Sequence, residues 1–137
     1  MNRIEGMKAE FENAKLVYLT TFTEKGERRS RAMTNFNKDP YDVIWFPTFR
    51  DTNKVEDIKK NPRAVVTFPS SREGEFYEVE GRAEFGNDKT VQEKWKWWYL
   101  SWLPDGEHHI RLTTDAPITN RVIILVHPET ARLVKQS

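Results

Sequence analysis

"DTNKVEDIKKNPRAVVTF", residues 51–68, reads as a short helix stopped by a proline and followed at once by an apolar strand. Asp51 and Thr52 or Asn53 supply cap chemistry at the helix start. Val55 and Ile58 face inward, and Asn61-Pro62 ends the helix, because a residue before proline is pushed out of the α region. Lys54 is the odd residue. A helix N-terminus already carries partial positive charge and favours acidic company, yet its first turn here holds a lysine. Either the lysine is exposed and costs a few tenths of a kcal/mol, or an anion sits there and uses both.

The flanks of this stretch are strands. "KLVYLTTFT" (15–23), a Gly-containing turn "EKGE" (24–27) and "RRSRAMTNF" (28–36) form a hairpin. After the turn "NKDPYD" (37–42) comes "VIWFPTF" (43–49), where Pro47 demotes the strand's end to an edge or a bulge. Beyond the helix at 53–60 lie "RAVVTF" (63–68), the polar loop "PSSREG" and "EFYEVEGRAEF" (75–85). An amphipathic opening helix over 2–13 is set by Ile4, Met7 and Phe11, and a second, longer helix runs from about Asp88 to Trp102. A polar stretch (103–118) precedes the buried strand "NRVIILVHP" (120–128) and a short closing strand or turn, "ETARLV" (129–134). Consecutive strands on hairpin turns favour an antiparallel sheet, and six or seven of them close most economically as a barrel. The expectation is a mainly β (α+β) chain with flanking helices, one domain over residues 1–137.

Composition narrows the function. With 22 basic and 21 acidic residues the net charge is +1, so no bulk attraction to nucleic acid or membrane is implied. The absence of cysteine removes disulfides, thiolate metal sites and cysteine nucleophiles. No stretch approaches a membrane span or a signal peptide, and a soluble cytoplasmic protein is expected.

Three features carry possible chemistry. Alternation along 28–34 sends Arg29 and Arg31 to one face and Arg28 and Ser30 to the other. These arginines are either a solvated face or an anion clamp converging on Lys54, arginine being suited to phosphate by its planar fork. In "EKWKWWYLSW" (93–102), Trp95, Trp98 and Trp102 share a helical side. That stripe packs on a barrel or a partner subunit, or else forms a ligand lid or a base-stacking platform. A barrel binding single-stranded nucleic acid through it is a competing reading, opposed by the near-neutral charge. His108 and His109 point to opposite faces of an extended segment, His127 is far off, and no carboxylates frame them, so no metal site is expected. No residue is an obvious acid, base or nucleophile, and no catalytic residue is assigned.

The run "WFPTFRDTNKVEDIKKNPRAVVTF" followed by "VEGRAEF" resembles the pyridoxamine 5′-phosphate oxidase-like split barrels, and "SRAM" (30–33) is similar to their general-stress-protein branch. The resemblance is strongest over residues 46–84. It implies a split β-barrel of FMN-binding type, a homodimer with the cofactor at the subunit boundary, and a small-molecule substrate. Arg31 and Lys54 are then the phosphate ligands, and Ala32, Met33 and Thr34 the strand along the isoalloxazine ring. Thr48 and Thr52 match hydroxyl positions near the ribityl chain and phosphate. Asn53 and Phe76 fall at cofactor-contact positions but replace a cationic residue and a glutamine, and Pro47 replaces a tyrosine. The tryptophan helix, with Trp98, is expected near the partner's flavin. The oxidases' C-terminal substrate segment has no counterpart in "TARLVKQS", so pyridoxamine-phosphate oxidation is not expected. The implied activity is electron transfer between a reduced nicotinamide and a small acceptor. The deazaflavin F420 in place of FMN, haem, or a cofactor-free structural dimer are the alternatives.

Overall fold

A computed structural model describes residues 3–87, 89–91, 93, 94 and 121–136. The elements run α1 (Met7–Asn13), β1 (Leu16–Phe22), β2 (Arg28–Thr34), β3 (Ile44–Phe49), α2 (Asn53–Lys60), β4 (Arg63–Pro69), β5 (Glu75–Phe85) and β6 (Arg121–Lys135). All six strands join one antiparallel sheet in the order β2-β1-β4-β5-β6-β3. The sheet curls into a half-barrel, the split β-barrel architecture that the sequence led us to expect. Its two edges, β2 and β3, are not paired to each other. Pro47, with no N–H to give, sits on edge strand β3 opposite Ile123.

The inner face carries the core. Val17 and Leu19 on β1, Val66 and Phe68 on β4, Val79 on β5 and Val126 on β6 are all fully buried. Helix α1 closes one end of this cavity with Met7 and Phe11, and Phe11 meets Phe68 edge-on at 4.9 Å between ring centroids. Helix α2, which leads from β3 to β4, lies against β1 at the other end and buries Val55 and Ile58. A smaller cluster on the outer face joins Trp45, Ile123 and Val91, with Phe36 stacked on Trp45.

Two element boundaries differ from the sequence expectation. The opening helix begins at Met7, not at residue 2, because Gly6 at its N-cap takes a left-handed turn with φ 84°. The strand at 120–128 and the closing segment at 129–134 are a single strand, β6. Pro128 reads as a stop, but a bulge in β6 at Glu129, opposite Glu80 and Gly81 of β5, absorbs it. Gly81 is required there, since a Cβ would lie 2.0 Å from the His127 carbonyl oxygen. Of the second helix, Lys89–Val91 and residues 93 and 94 are helical. Its continuation, with Trp95, Trp98 and Trp102, and the pair His108 and His109 lie outside the described residues. Among the described residues no helix is long and apolar enough to cross a membrane.

Candidate anion and cofactor site

The antiparallel register sets Arg31 beside Leu19 and Arg29 beside Thr21. Both arginines therefore project to the inner face, with Met33 two residues further on, packed against the core. At this end of the sheet the inner face is polar. Arg31 Nη1 donates to Thr21 Oγ1 at 2.8 Å and to the Leu19 carbonyl at 3.3 Å. Thr21 in turn donates to Asp57 Oδ2 at 2.8 Å, across to α2. Asp57 Oδ2 also stands 3.8 Å from Arg29 Nε and 4.0 Å from Arg31 Nη2. Asp57 is 6% exposed and Thr21 is fully buried, whereas the Arg29 side chain is 44% exposed, so the network is dry at its carboxylate and open to solvent at its cationic end.

Lys54 completes it. The side chain is half-buried in the first turn of α2. Burial pulls its ammonium below the ordinary lysine value, and the Arg31 charge pulls it further. Arg31 itself is lowered chiefly by burial, with Asp57 opposing the shift and Arg29 adding to it. Arg29 and Arg31 thus flank one buried carboxylate and Lys54 stands beside Arg31, three cations against one anion. The excess of two positive charges suits a phosphate monoester, which carries about −1.5 to −2 at neutral pH.

The helix start adds backbone donors beside these cations. Thr52 is the N-cap residue, but its side chain makes no cap hydrogen bond. Its hydroxyl donates backwards to the Phe49 carbonyl at 3.0 Å. The cap chemistry expected of Thr52 is therefore not used, and the first-turn N–H groups, which have no intrahelical acceptor, receive no side-chain cap from it. Asn53, exposed on the first turn, lines a cleft of about 400 Å³ together with Arg29, Asp57 and Lys60. Thr48 is buried on β3, just ahead of the loop into α2.

The remaining expected positions form a second region. Ala32 is exposed on edge strand β2, and Thr34 is half-buried beside Leu16. Phe76 is half-buried on β5. Tracing the register from Arg31 through Leu19 and Val66 to Val79 places Phe76 three strands across and three residues along. That odd offset puts it on the opposite, outer face. Within one chain Phe76 does not join the Arg31–Lys54 cluster. The outer face also exposes Leu16 (56%) and Tyr18 (50%), with Ala32 paired beside Tyr18.

Asp57 and Thr21 are the site residues that the sequence reading missed. Their signals were present: Thr21 continues the inward alternation of Val17 and Leu19, and Asp57 falls three residues after Lys54, on the same side of α2. Among the described residues no group of three His, Cys, Asp or Glu could hold a metal. His127 bonds the surface carboxylate of Glu84 at 2.9 Å.

A family description for proteins like pyridoxamine 5′-phosphate oxidase matches residues 2–132 of the chain. General stress protein 26 of Bacillus subtilis is 32% identical over 115 residues, which span 81% of this chain and 74% of that protein. A solved structure of a pyridoxamine 5′-phosphate oxidase-related, FMN-binding protein from Nostoc punctiforme superposes with a TM-score of 0.66 at 17% identity, covering 98% of this chain and 85% of that one. A solved F420 reductase superposes with a TM-score of 0.65 at 21% identity, covering 95% and 98%. At such identities the two structures speak for the fold.

Proposed function

The chain belongs to the pyridoxamine 5′-phosphate oxidase-like family, and on that premise we propose that it binds FMN between two copies of itself and passes electrons from a reduced nicotinamide to a small acceptor. The observation that carries this reading is the meeting of Arg31 and Lys54 at the uncapped start of α2. A dianionic phosphate relieves the repulsion between these cations and takes the free first-turn donors. The fit is good at this end: the donor set is cationic, partly desolvated and short of one anion. Thr48 and Thr52 line the way from the phosphate towards the sheet edge, and the β2 backbone at Ala32–Thr34 flanks the ring. When bound, FMN supplies the redox chemistry; the protein holds and orients it and keeps water from one side.

The subunit pairing rests on the outer face. Leu16 and Tyr18 are large, apolar and half exposed, and a two-fold dimer is the commonest way to cover such a surface. The half-buried Phe76 on that same face then reaches the cofactor of the partner rather than its own, which accounts for its distance from Arg31. Trp98 has the same role in this reading.

Titrating FMN into the purified protein tests the proposal. We expect quenching or a shift of flavin fluorescence at micromolar protein, and a dimer in light scattering. A monomer, or a protein that leaves FMN unchanged at tens of micromolar, overturns it. F420 is the second reading. A solved F420 reductase that shares this fold supports it. A parallel titration with F420 decides between the two.

A further inference from the structure

We infer that Asp57 is a built-in counter-anion of the Arg31–Lys54 site, a positioning residue that holds the arginines ready and at the same time opposes the phosphate it helps to admit. The inference deepens the anion-binding reading above and rests on it. Asp57 does not touch either arginine by hydrogen bond: its Oδ2 stops 3.8 Å from Arg29 Nε and 4.0 Å from Arg31 Nη2. Among the described residues its short contact in this network is with Thr21, and Thr21 is what Arg31 Nη1 grips. The carboxylate therefore fixes Arg31 through a hydroxyl relay while leaving the outer donors of both guanidiniums directed elsewhere. A carboxylate that were merely structural would be expected to take a direct bidentate pairing with arginine.

Two consequences follow from charge. In the ligand-free protein the nearly buried Asp57 offsets Arg29 and Arg31, the latter already crowded by Lys54, and cations drawn out of water without a counter-charge are costly. With phosphate present, the same negative charge lies within a few ångströms of the incoming dianion and repels it. Removing the charge while keeping the acceptor should destabilise the ligand-free protein but strengthen anion binding. Removing the relay while keeping the charge should weaken it. A residue with only a scaffolding role moves both variants in one direction.

Asp57→Asn and Thr21→Val supply these two cases. Asp57→Asn is expected to bind FMN roughly tenfold more tightly and to melt at a lower temperature without ligand. Thr21→Val is expected to bind FMN several-fold more weakly. Unchanged or weakened FMN affinity in Asp57→Asn overturns the counter-anion role, and unchanged affinity in Thr21→Val overturns the relay. Inorganic phosphate is the second probe, read as the rise in melting temperature it produces. If the natural protein ignores FMN, the flavin reading fails by itself. The counter-anion role then still predicts a larger phosphate-induced rise in Asp57→Asn than in the natural protein, and equal rises overturn it. Should Asp57→Asn not fold in plain buffer, millimolar phosphate is expected to restore folding; failure to restore it overturns the inference.

Discussion

The two helices close opposite ends of the same curled sheet, and they do so with opposite chemistry. Helix α1 presents Met7 and Phe11, both fully buried, to the rings of Phe68 and Tyr77. Helix α2 presents Val55 and Ile58, but also Asp57 and Lys54, to a strand end carrying Thr21, Arg29 and Arg31. A plug that only had to exclude water would be apolar at both ends. The polar end keeps cations partly desolvated and a helix start open, arrangements that cost stability unless a ligand repays them. On the proposed reading, stability belongs to the α1 end and binding to the α2 end.

Phe11→Ala breaks the apolar end most severely. Truncating a fully buried phenylalanine that contacts Phe68 is expected to cost about 3–5 kcal/mol in denaturant unfolding. Among molecules that remain folded, FMN affinity should hardly change. A variant that loses flavin binding in proportion to stability would erase the division between the ends.

At the other end Lys54→Ala is expected to reverse that pattern. A charge-assisted phosphate contact contributes about 1.5–3 kcal/mol, which is roughly a tenfold to hundredfold loss of FMN affinity. The ligand-free fold should be no less stable, because a half-buried cation held down by burial and by Arg31 has been removed. Parallel FMN titration and urea denaturation measure the two quantities separately.

The two ends should also drift apart in alkali. Burial and the hydrogen bond with Glu10 push the Tyr77 hydroxyl up to about 12. Above pH 10 the unfolded tyrosine releases its proton and the folded one keeps it, so stability is lost as pH rises, by about 1 kcal/mol near pH 11. Lys54 has the opposite sign. Its folded value is depressed, so between that value and about 10.4 the unfolded chain holds more protons, and stability rises with pH. Urea midpoints from pH 8 to 11 should show Tyr77→Phe abolishing the alkaline loss and Lys54→Ala abolishing the gain. Identical pH profiles for all three proteins would refute both assignments.

Most of this division was legible in the sequence. The inward pair Val55 and Ile58, the stop at Asn61-Pro62 and the strand alternation set α2 and put Arg29 and Arg31 on one face, because helical and strand periods leave little freedom at such short lengths. What escaped depended on contacts far apart in the chain. Asp57 reads as one more charge on an exposed helix until β1 is brought beside it, 36 residues away in sequence. The continuity of β6 past Pro128 depends on a glycine on the neighbouring strand. Phe76 matched a cofactor position in the family frame, yet it lies on the other face of the sheet from Arg31, which a single chain's pattern does not reveal.

The smallest expected effect tests whether the α2 start is open by design. A threonine that truly caps a helix costs about 0.5–2 kcal/mol when changed to alanine. Thr52 makes no cap bond, and its hydroxyl is given to the Phe49 carbonyl in an exposed setting. Thr52→Ala is therefore expected to change unfolding free energy by about 0.5 kcal/mol or less, within the range of ordinary surface substitutions. Thr52→Asp should do something different. A carboxylate at this position can accept from the first-turn N–H groups and favours the positive end of the helix, so the ligand-free protein should gain a fraction of a kcal/mol. The same carboxylate then occupies the donors that the phosphate needs and adds a second negative charge beside Asp57, and FMN affinity should fall. Stability and binding would move in opposite directions through one side chain, which is the contrast between the two ends of the molecule reproduced at a single residue. A Thr52→Asp protein that is more stable and binds FMN as well as before would show that the helix start takes no part in holding the anion.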